Sequence, residues 1–218
     1  MGKIIHKNNQ SRNAMVLEDA YGMLQEKKIA IVGMGGTGNY LLQTLSQFPL
    51  HIHIFDADFI EIDNLERQIL FSQDDIGKSK SKTAFEKLQN VIADITYTET
   101  FITEKNIKEL ETFDLIIDCT DNFKTREVLL TTKKTWLYTG AIRDTGSVLL
   151  ITEQSKQNAE KLFINKEGES CCLVGVLSTT LAITANIAAD IALRYLIQDN
   201  PETRLVRVHR SSISYVTV

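Results

Sequence analysis

Cysteine is scarce in this chain of 218 residues: Cys119, Cys171 and Cys172 are the only three, and no two form a C-x-x-C pair. An odd count without that spacing excludes a disulfide framework and a zinc ribbon, so no zinc is expected. The four histidines, His6, His51, His53 and His209, form no metal-binding cluster in sequence. No stretch is rich in Pro, Gly and Ser together, and no segment repeats. We therefore expect one domain over residues 1–218, with residues 1–13 a polar N-terminal arm. Long apolar runs are missing too. The most apolar stretch, residues 173–189, is uncharged but carries Ser178, Thr179, Thr180, Thr184 and Asn186. A bilayer span takes ~20 predominantly apolar residues, so a buried core helix is expected and no membrane partner. The opening MGKIIHKNNQ has no apolar signal core, which makes the expected location cytoplasmic. A net charge of −4 gives no global field to attract nucleic acid, and none is expected as a partner.

What is present is ordinary for a soluble globular protein: 43% hydrophobic and 24% charged residues exclude low-complexity disorder. A chain this long buries about 70% of the surface it exposes when unfolded, enough to fold without disulfides or metal. The pattern alternates strand and helix. Helical spacing spans residues 15–25, where Val16, Leu17, Tyr21 and Leu24 can share a face. Short apolar runs predict strands at 29–32, 51–55 and 115–119, and alternation predicts one at 95–101. Helices are expected at 39–47, 78–90 and 123–132. Strands at 136–139 and 147–151 flank a turn at 140–146, residues 153–170 read as a polar loop, and a long helix covers 176–198. A hairpin, 205–209 with 213–216, closes the chain. The fold class is α/β: a Rossmann-like open, mostly parallel sheet with helices on both faces and antiparallel C-terminal edge strands.

Chemistry begins with GMGGTG. Gly33, Gly35 and Gly38 satisfy G-x-G-x-x-G between a strand and a helix, with Gly36 in addition. Glycine allows the sharp turn and a close approach of backbone to phosphate, and the helix N-terminus favours an anion. Asp56 ends the next strand, where an acid accepts hydrogen bonds from ribose hydroxyls. On this motif alone the ligand would be NAD, and an NAD-dependent oxidoreductase is one alternative. The connector DADFIEIDNLERQILF then adds Asp58, Asp63, Asn64, Arg67 and Gln68. A triphosphate needs such cationic and amide donors, whereas NAD enzymes have no general need for them. The competing possibility is a solvated helix face. GKSKSK follows, and a lysine run opposes the dipole of a helix start unless one lysine faces a phosphate. Asp121 in DCTDN lies past a strand's carboxyl end, placed either to hold Mg²⁺ or to cap the next helix.

Together GMGGTG, DADFIEIDNLERQ, GKSK and DCTDN, in that order, resemble the ThiF/MoeB/HesA family, adenylating enzymes related to ubiquitin-activating enzyme. The resemblance covers residues 14–197. It implies an ATP-dependent adenylyltransferase that activates the C-terminal carboxylate of a small ubiquitin-like sulfur-carrier protein, of thiamine or molybdenum-cofactor type, as an acyl-adenylate. ATP and Mg²⁺ are the implied cofactors and a homodimer the implied assembly. By motif, Asp56 would bind ribose, Asn64, Arg67, Gln68 and Lys80 the phosphates, and Asp121 the metal. Arg67, Lys80, Asp121 and Cys171 would be the catalytic set, because SCCLVGVLS sits at the family's thiol position. Cys119 ends a strand and reads as core. The chain departs from the family in lacking two zinc-binding C-x-x-C pairs, in a short crossover loop, and in carrying Asn9 where an arginine is often donated across the dimer, with Arg12 nearby. Adenylation of a ribosomal peptide's C-terminus is a further alternative, as is a non-catalytic partner that kept the fold.

Overall fold

Runs of β-branched and aliphatic residues bounded by polar turns give the strands of one sheet. The computed structural model describes residues 12–163, 174–199, 201, 203–210 and 212–216. Its strands are β1 (Lys28–Val32), β2 (His51–Phe55), β3 (Asp94–Thr98), β4 (Leu115–Asp118), β5 (Trp136–Ile142), β6 (Thr145–Ile151), β7 (Leu205–His209) and β8 (Ser212–Val216). The helices are α1 (Arg12–Leu17), α2 (Asp19–Met23), α3 (Gly36–Leu45), α4 (Lys80–Leu88), α5 (Phe123–Leu129), α6 (Lys156–Phe163) and α7 (Ser178–Leu196). The strand order is β3-β2-β1-β4-β5-β6-β7-β8. Pairing is parallel from β3 to β5 and antiparallel from β5 to β8, as the alternation of elements predicts.

Side chains alternate between two apolar layers because successive strand residues point to opposite faces. Ile29, Ile31, Leu115, Ile117, Val148 and Leu150 join Leu41, Leu45, Ala84 and Ala185 on the face of α3, α4 and α7. Ala30, Val32, Ile116, Trp136, Leu149 and Ile151 join Leu129, Ala159 and Phe163 on the face of α5 and α6.

Three segments differ from the sequence reading. The helix expected over 15–25 is split at Glu18, whose φ of 50° interrupts the helical ladder, and a 3₁₀ turn, Leu24–Glu26, follows α2. Val16 is therefore exposed, while Ala14, Tyr21 and Leu24 are buried. The expected polar arm is helical at Arg12 and Asn13, and residues 1–11, Asn9 among them, lie outside the described residues. The loop expected over 153–170 contains α6. Ala159 and Phe163, four apart, both turn inward, and Phe163 sits 5.0 Å from the Tyr138 ring and 6.0 Å from Trp136. The β5–β6 turn is shorter than expected, with the strands paired out to Ile142 and Thr145.

Candidate active site

The register of the parallel strands aligns their carboxyl ends. Val32 pairs with Phe55 on one side and with Asp118 on the other. The next residues, Gly33, Asp56 and Cys119, therefore leave the sheet at one level. Neighbouring strands lie about 4.8 Å apart, so the three exits span about 10 Å. This edge, where β1 leads off toward β2 and its neighbour β4 leads off the other way toward β5, is where open α/β sheets bind ligands.

Gly33 turns the chain with a φ of 95°, and a Cβ there would lie 3.0 Å from the Cys119 backbone and from Thr120. A Cβ on Gly38 would strike the Gly33 carbonyl, so both positions demand glycine for the turn itself. Gly36 packs against Leu181 of α7, where a Cβ would come within 2.6 Å. Gly35 differs: a Cβ there meets nothing within 4 Å. Its small size leaves space open at the N-terminus of α3, as a phosphate cradle requires.

Asp56 is 4% exposed and accepts hydrogen bonds from the Met34 N–H (2.5 Å) and the Asp58 N–H (2.7 Å). Burial pushes its carboxyl above the usual range, opposed by those two amides and by Lys80. The carboxylate is thus fixed between the glycine loop and the connector. Lys80 is the first residue of α4, buried, with Nζ 3.3 Å from Asp58 Oδ2 and its N–H on the Asp58 carbonyl. Ser79 caps α4, and Ser81 Oγ donates to the Asp56 carbonyl at 2.7 Å. A lysine buried at a helix start, against the dipole, is held by an acid beside the nucleotide loop.

The connector carries Arg67 and Gln68. Arg67 donates to the Asp63 carbonyl (2.7 Å) and lies 3.3 Å from Glu66 Oε1. Gln68 is buried, and its Oε1 has no hydrogen-bond partner. Asn64 is turned into the connector: its Oδ1 accepts from the Glu61 N–H and its Nδ2 donates to Asp63. It shapes the turn that presents Arg67.

Asp121 is exposed just past β4. It does not cap α5, because Asn122 accepts from the Lys124 N–H at 2.8 Å and does that work. Cys119 is buried, and burial pushes its thiol well above the ordinary value, which suits a core residue. Cys171 and Cys172 lie outside the described residues.

Glycine loop, buried acid, buried lysine and exposed carboxylate thus gather at one sheet edge, and a family model says whose edge it is. A model of the ThiF family matches residues 8–217. The chain belongs to that family. It is 24% identical over 235 residues to ubiquitin-like modifier-activating enzyme 5 of Oryza sativa subsp. japonica, covering 90% of this chain and 55% of that protein. It is 30% identical over 187 residues to the probable molybdopterin-synthase adenylyltransferase of Porphyra purpurea, covering 80% and 49%. The chain thus spans about half the length of these curated relatives. Among solved structures, E. coli MccB with MccA-N7isoASN superposes with a TM-score of 0.79 at 19% identity, over 96% of this chain and 72% of that one. At that identity the likeness concerns the fold.

The sequence reading missed three residues of this candidate site. Asn39 is fully buried: its Nδ2 donates to the Met34 (2.9 Å) and Gly35 (3.0 Å) carbonyls, and its Oδ1 accepts from the Leu70 N–H at 3.0 Å. It ties the glycine loop to the segment bearing Arg67 and Gln68. An asparagine inside a helix, where its side chain competes with the backbone, was the available signal. Asp118 was also passed over, although an acid in a buried strand needs a partner. That partner is Arg126, its Nε 3.1 Å from Asp118 Oδ2.

Proposed function

We propose that this chain is an ATP-dependent adenylyltransferase that activates the C-terminal carboxylate of a small ubiquitin-like sulfur-carrier protein. The observation that carries the reading is the register-matched edge of a ThiF-family chain, with the open cradle at Gly35, Asp56 and Asp121 just past β1, β2 and β4, and Lys80 held beside them by Asp58. The names of its relatives, an enzyme activating a ubiquitin-like modifier and a molybdopterin-synthase adenylyltransferase, support it.

In this reading ATP lies over the glycine loop with its ribose on Asp56. Lys80 and Arg67 exchange Asp58 and Glu66 for phosphate oxygens, and Gln68 donates to them from its Nε2 amide. Asn64 acts by holding the turn. The carrier's carboxylate oxygen attacks the α-phosphorus, the bond to the β-phosphate bridging oxygen breaks, and pyrophosphate leaves with the electron pair. The product is a mixed anhydride of carrier and AMP. The cations lower the barrier by neutralising charge that develops on the phosphates, and the cradle holds the two reactants in line.

Asp121 is the proposed Mg²⁺ ligand. Among the described residues no group of three or more His, Cys, Asp or Glu is arranged to hold a metal. One exposed carboxylate still suits an ion that keeps its waters and takes further oxygens from substrate phosphates. When bound, Mg²⁺ supplies charge neutralisation at those oxygens. Cys171 is the proposed acceptor of the acyl group in a later thiol step.

A homodimer is part of the same proposal. β8 is exposed along its length, and a groove of about 510 Å³ beside it is lined by Ile183, Ile187 and Ile191 of α7 with Ile213 and Tyr215. A self-complementary pairing about a two-fold axis would cover this edge. The testing experiment is capture of partners by the full chain under ATP and Mg²⁺, followed by mass spectrometry. A ubiquitin-like protein adenylated at its C-terminus supports the reading; a short peptide so modified favours the peptide-activating alternative; no adenylated species, with no ATP bound, sinks both.

A further inference from the structure

We propose that Arg126, neutralised by Asp118, is the positioning residue that aims Asp121 at its cation, an inference that rests on the adenylyltransferase reading above. Asp121 sits in a turn held on both sides. Before it, Asp118 Oδ1 accepts from the Thr120 N–H (3.0 Å) and Oγ1 (2.7 Å), and Arg126 Nη2 donates to the Thr120 carbonyl at 2.6 Å. After it, the Asn122 side chain starts α5. Arg126 thus fixes the carbonyl of the peptide that joins Thr120 to Asp121. The guanidinium is itself immobilised: 5% exposed, it lies 5.1 Å from the centre of the Phe123 ring and 4.8 Å from that of Tyr138. Thr139 Oγ1 closes the frame on the Asp118 carbonyl at 2.7 Å.

Helix initiation does not need this arrangement, because Asn122 already provides the cap. Charge explains the pairing. A lone guanidinium next to Asp121 would repel a divalent cation. Burial alone would lower the Arg126 pKa, but the Asp118 charge and hydrogen bond, Tyr138 and Asp121 together outweigh it and raise the value. Asp118 balances Arg126 locally, so the cation would meet a neutralised pair behind Asp121 rather than a bare guanidinium, while the planar fork keeps its bonds to Asp118 and Thr120. Outer partners of this kind orient the groups that touch an ion.

The glycine loop has separate anchors: the Gly33 N–H on the Phe55 carbonyl, the Met34 N–H on Asp56, and Asn39. Loss of the pair is therefore expected to disturb the metal response more than the nucleotide seat. The test titrates the full chain with ATP, once in excess EDTA and once in Mg²⁺, and takes the ratio of the two affinities. Wild type shows tighter binding with Mg²⁺, and Asp121→Asn loses that gain. The charge-neutral double variant Asp118→Asn/Arg126→Gln leaves no buried ion unpaired. We expect it to cut the ratio by about tenfold, the usual scale for such partners, while EDTA affinity changes by about threefold at most. Arg126→Lys, which keeps the charge but loses the fork, should fall between, and it serves as the reporter if thermal unfolding shows the double variant unfolded. An unchanged ratio overturns the proposal, as does an equal loss in both titrations, the mark of a purely structural pair. Wild type that binds no ATP, or binds it without a Mg²⁺ response, overturns the adenylyltransferase reading itself and this inference with it.

Discussion

The two halves of the sheet treat their polar groups in opposite ways. Along β2, β1 and β4 the carboxyl ends are cross-tied: Asp56 to Met34 and Asp58, Asn39 to the glycine loop and Leu70, Asp118 to Thr120 and Arg126. These side chains have fixed partners, so they are set in place before a ligand arrives. Along β7 and β8 all five β8 residues are exposed, and apolar side chains line an open groove. A preorganised edge suits chemistry, because oriented groups cost no reorganisation at the reacting centre. An unfinished apolar edge suits another polypeptide. Under the proposed function, the difference separates where ATP would be handled from where a second chain would dock.

The largest blow to the rigid half is Asp118→Ala. It strands the Arg126 guanidinium in a buried site, and urea unfolding should show a loss of about 3–5 kcal/mol. The same substitution on the exposed edge has no counterpart. Next comes Lys80→Ala or Arg67→Ala, each expected to lower adenylation turnover by about 10²–10³-fold while the unfolding midpoint moves little. A turnover within twofold of wild type would remove these cations from the site.

Asp75 sharpens the contrast through pH. It anchors the connector by accepting from Ser72 and pairing with Lys78 (3.2 Å) and Lys87. Burial alone would raise its carboxyl, but Lys87, Ser72 and Lys78 outweigh it and hold the pKa well below the ordinary value. The folded state therefore releases this proton more readily than the unfolded state. The stabilisation is complete above about pH 4 and fades as pH falls below it. Asp75→Asn should cost about 2 kcal/mol near neutrality, with the difference from wild type shrinking in acid. A constant difference at every pH would contradict this. The smallest effect on folding is expected for Ile213→Asp or Tyr215→Asp, within about 0.5 kcal/mol. Sedimentation should nevertheless show a shift from dimer to monomer if that edge joins two copies.

Elements with a strong period were legible in the sequence. β1, β2 and β4 are short apolar runs next to glycine or aspartate, and α7 is a long helix that is uncharged from Ser178 to Ala189. α6 was not legible, because its buried face is only Ala159 and Phe163 in a polar stretch. The break at Glu18 was hidden as well, since nothing in the side-chain pattern of 15–25 marks a positive φ. In the candidate site, the structure brings Gly33, Asp56 and Lys80, singled out by glycine or charge, to one edge, and it sets Asp121 beyond β4 as read from the sequence. Its competing role as a helix cap belongs to Asn122, and residue type alone could not separate two neighbours that both cap well. Asn39, Asp118 and Arg126 escaped because they act on the backbone of other residues. That work shows only when the chain is folded.

The most direct test is exchange of labelled pyrophosphate into ATP by the full chain with Mg²⁺ and a ubiquitin-like carrier ending in Gly-Gly. The account predicts exchange that requires the carrier's free C-terminal carboxylate, stops when that carboxylate is amidated, and falls about 10²-fold or more in Arg67→Ala. No exchange with any such carrier, together with NAD binding that Arg67→Ala leaves untouched, would contradict it.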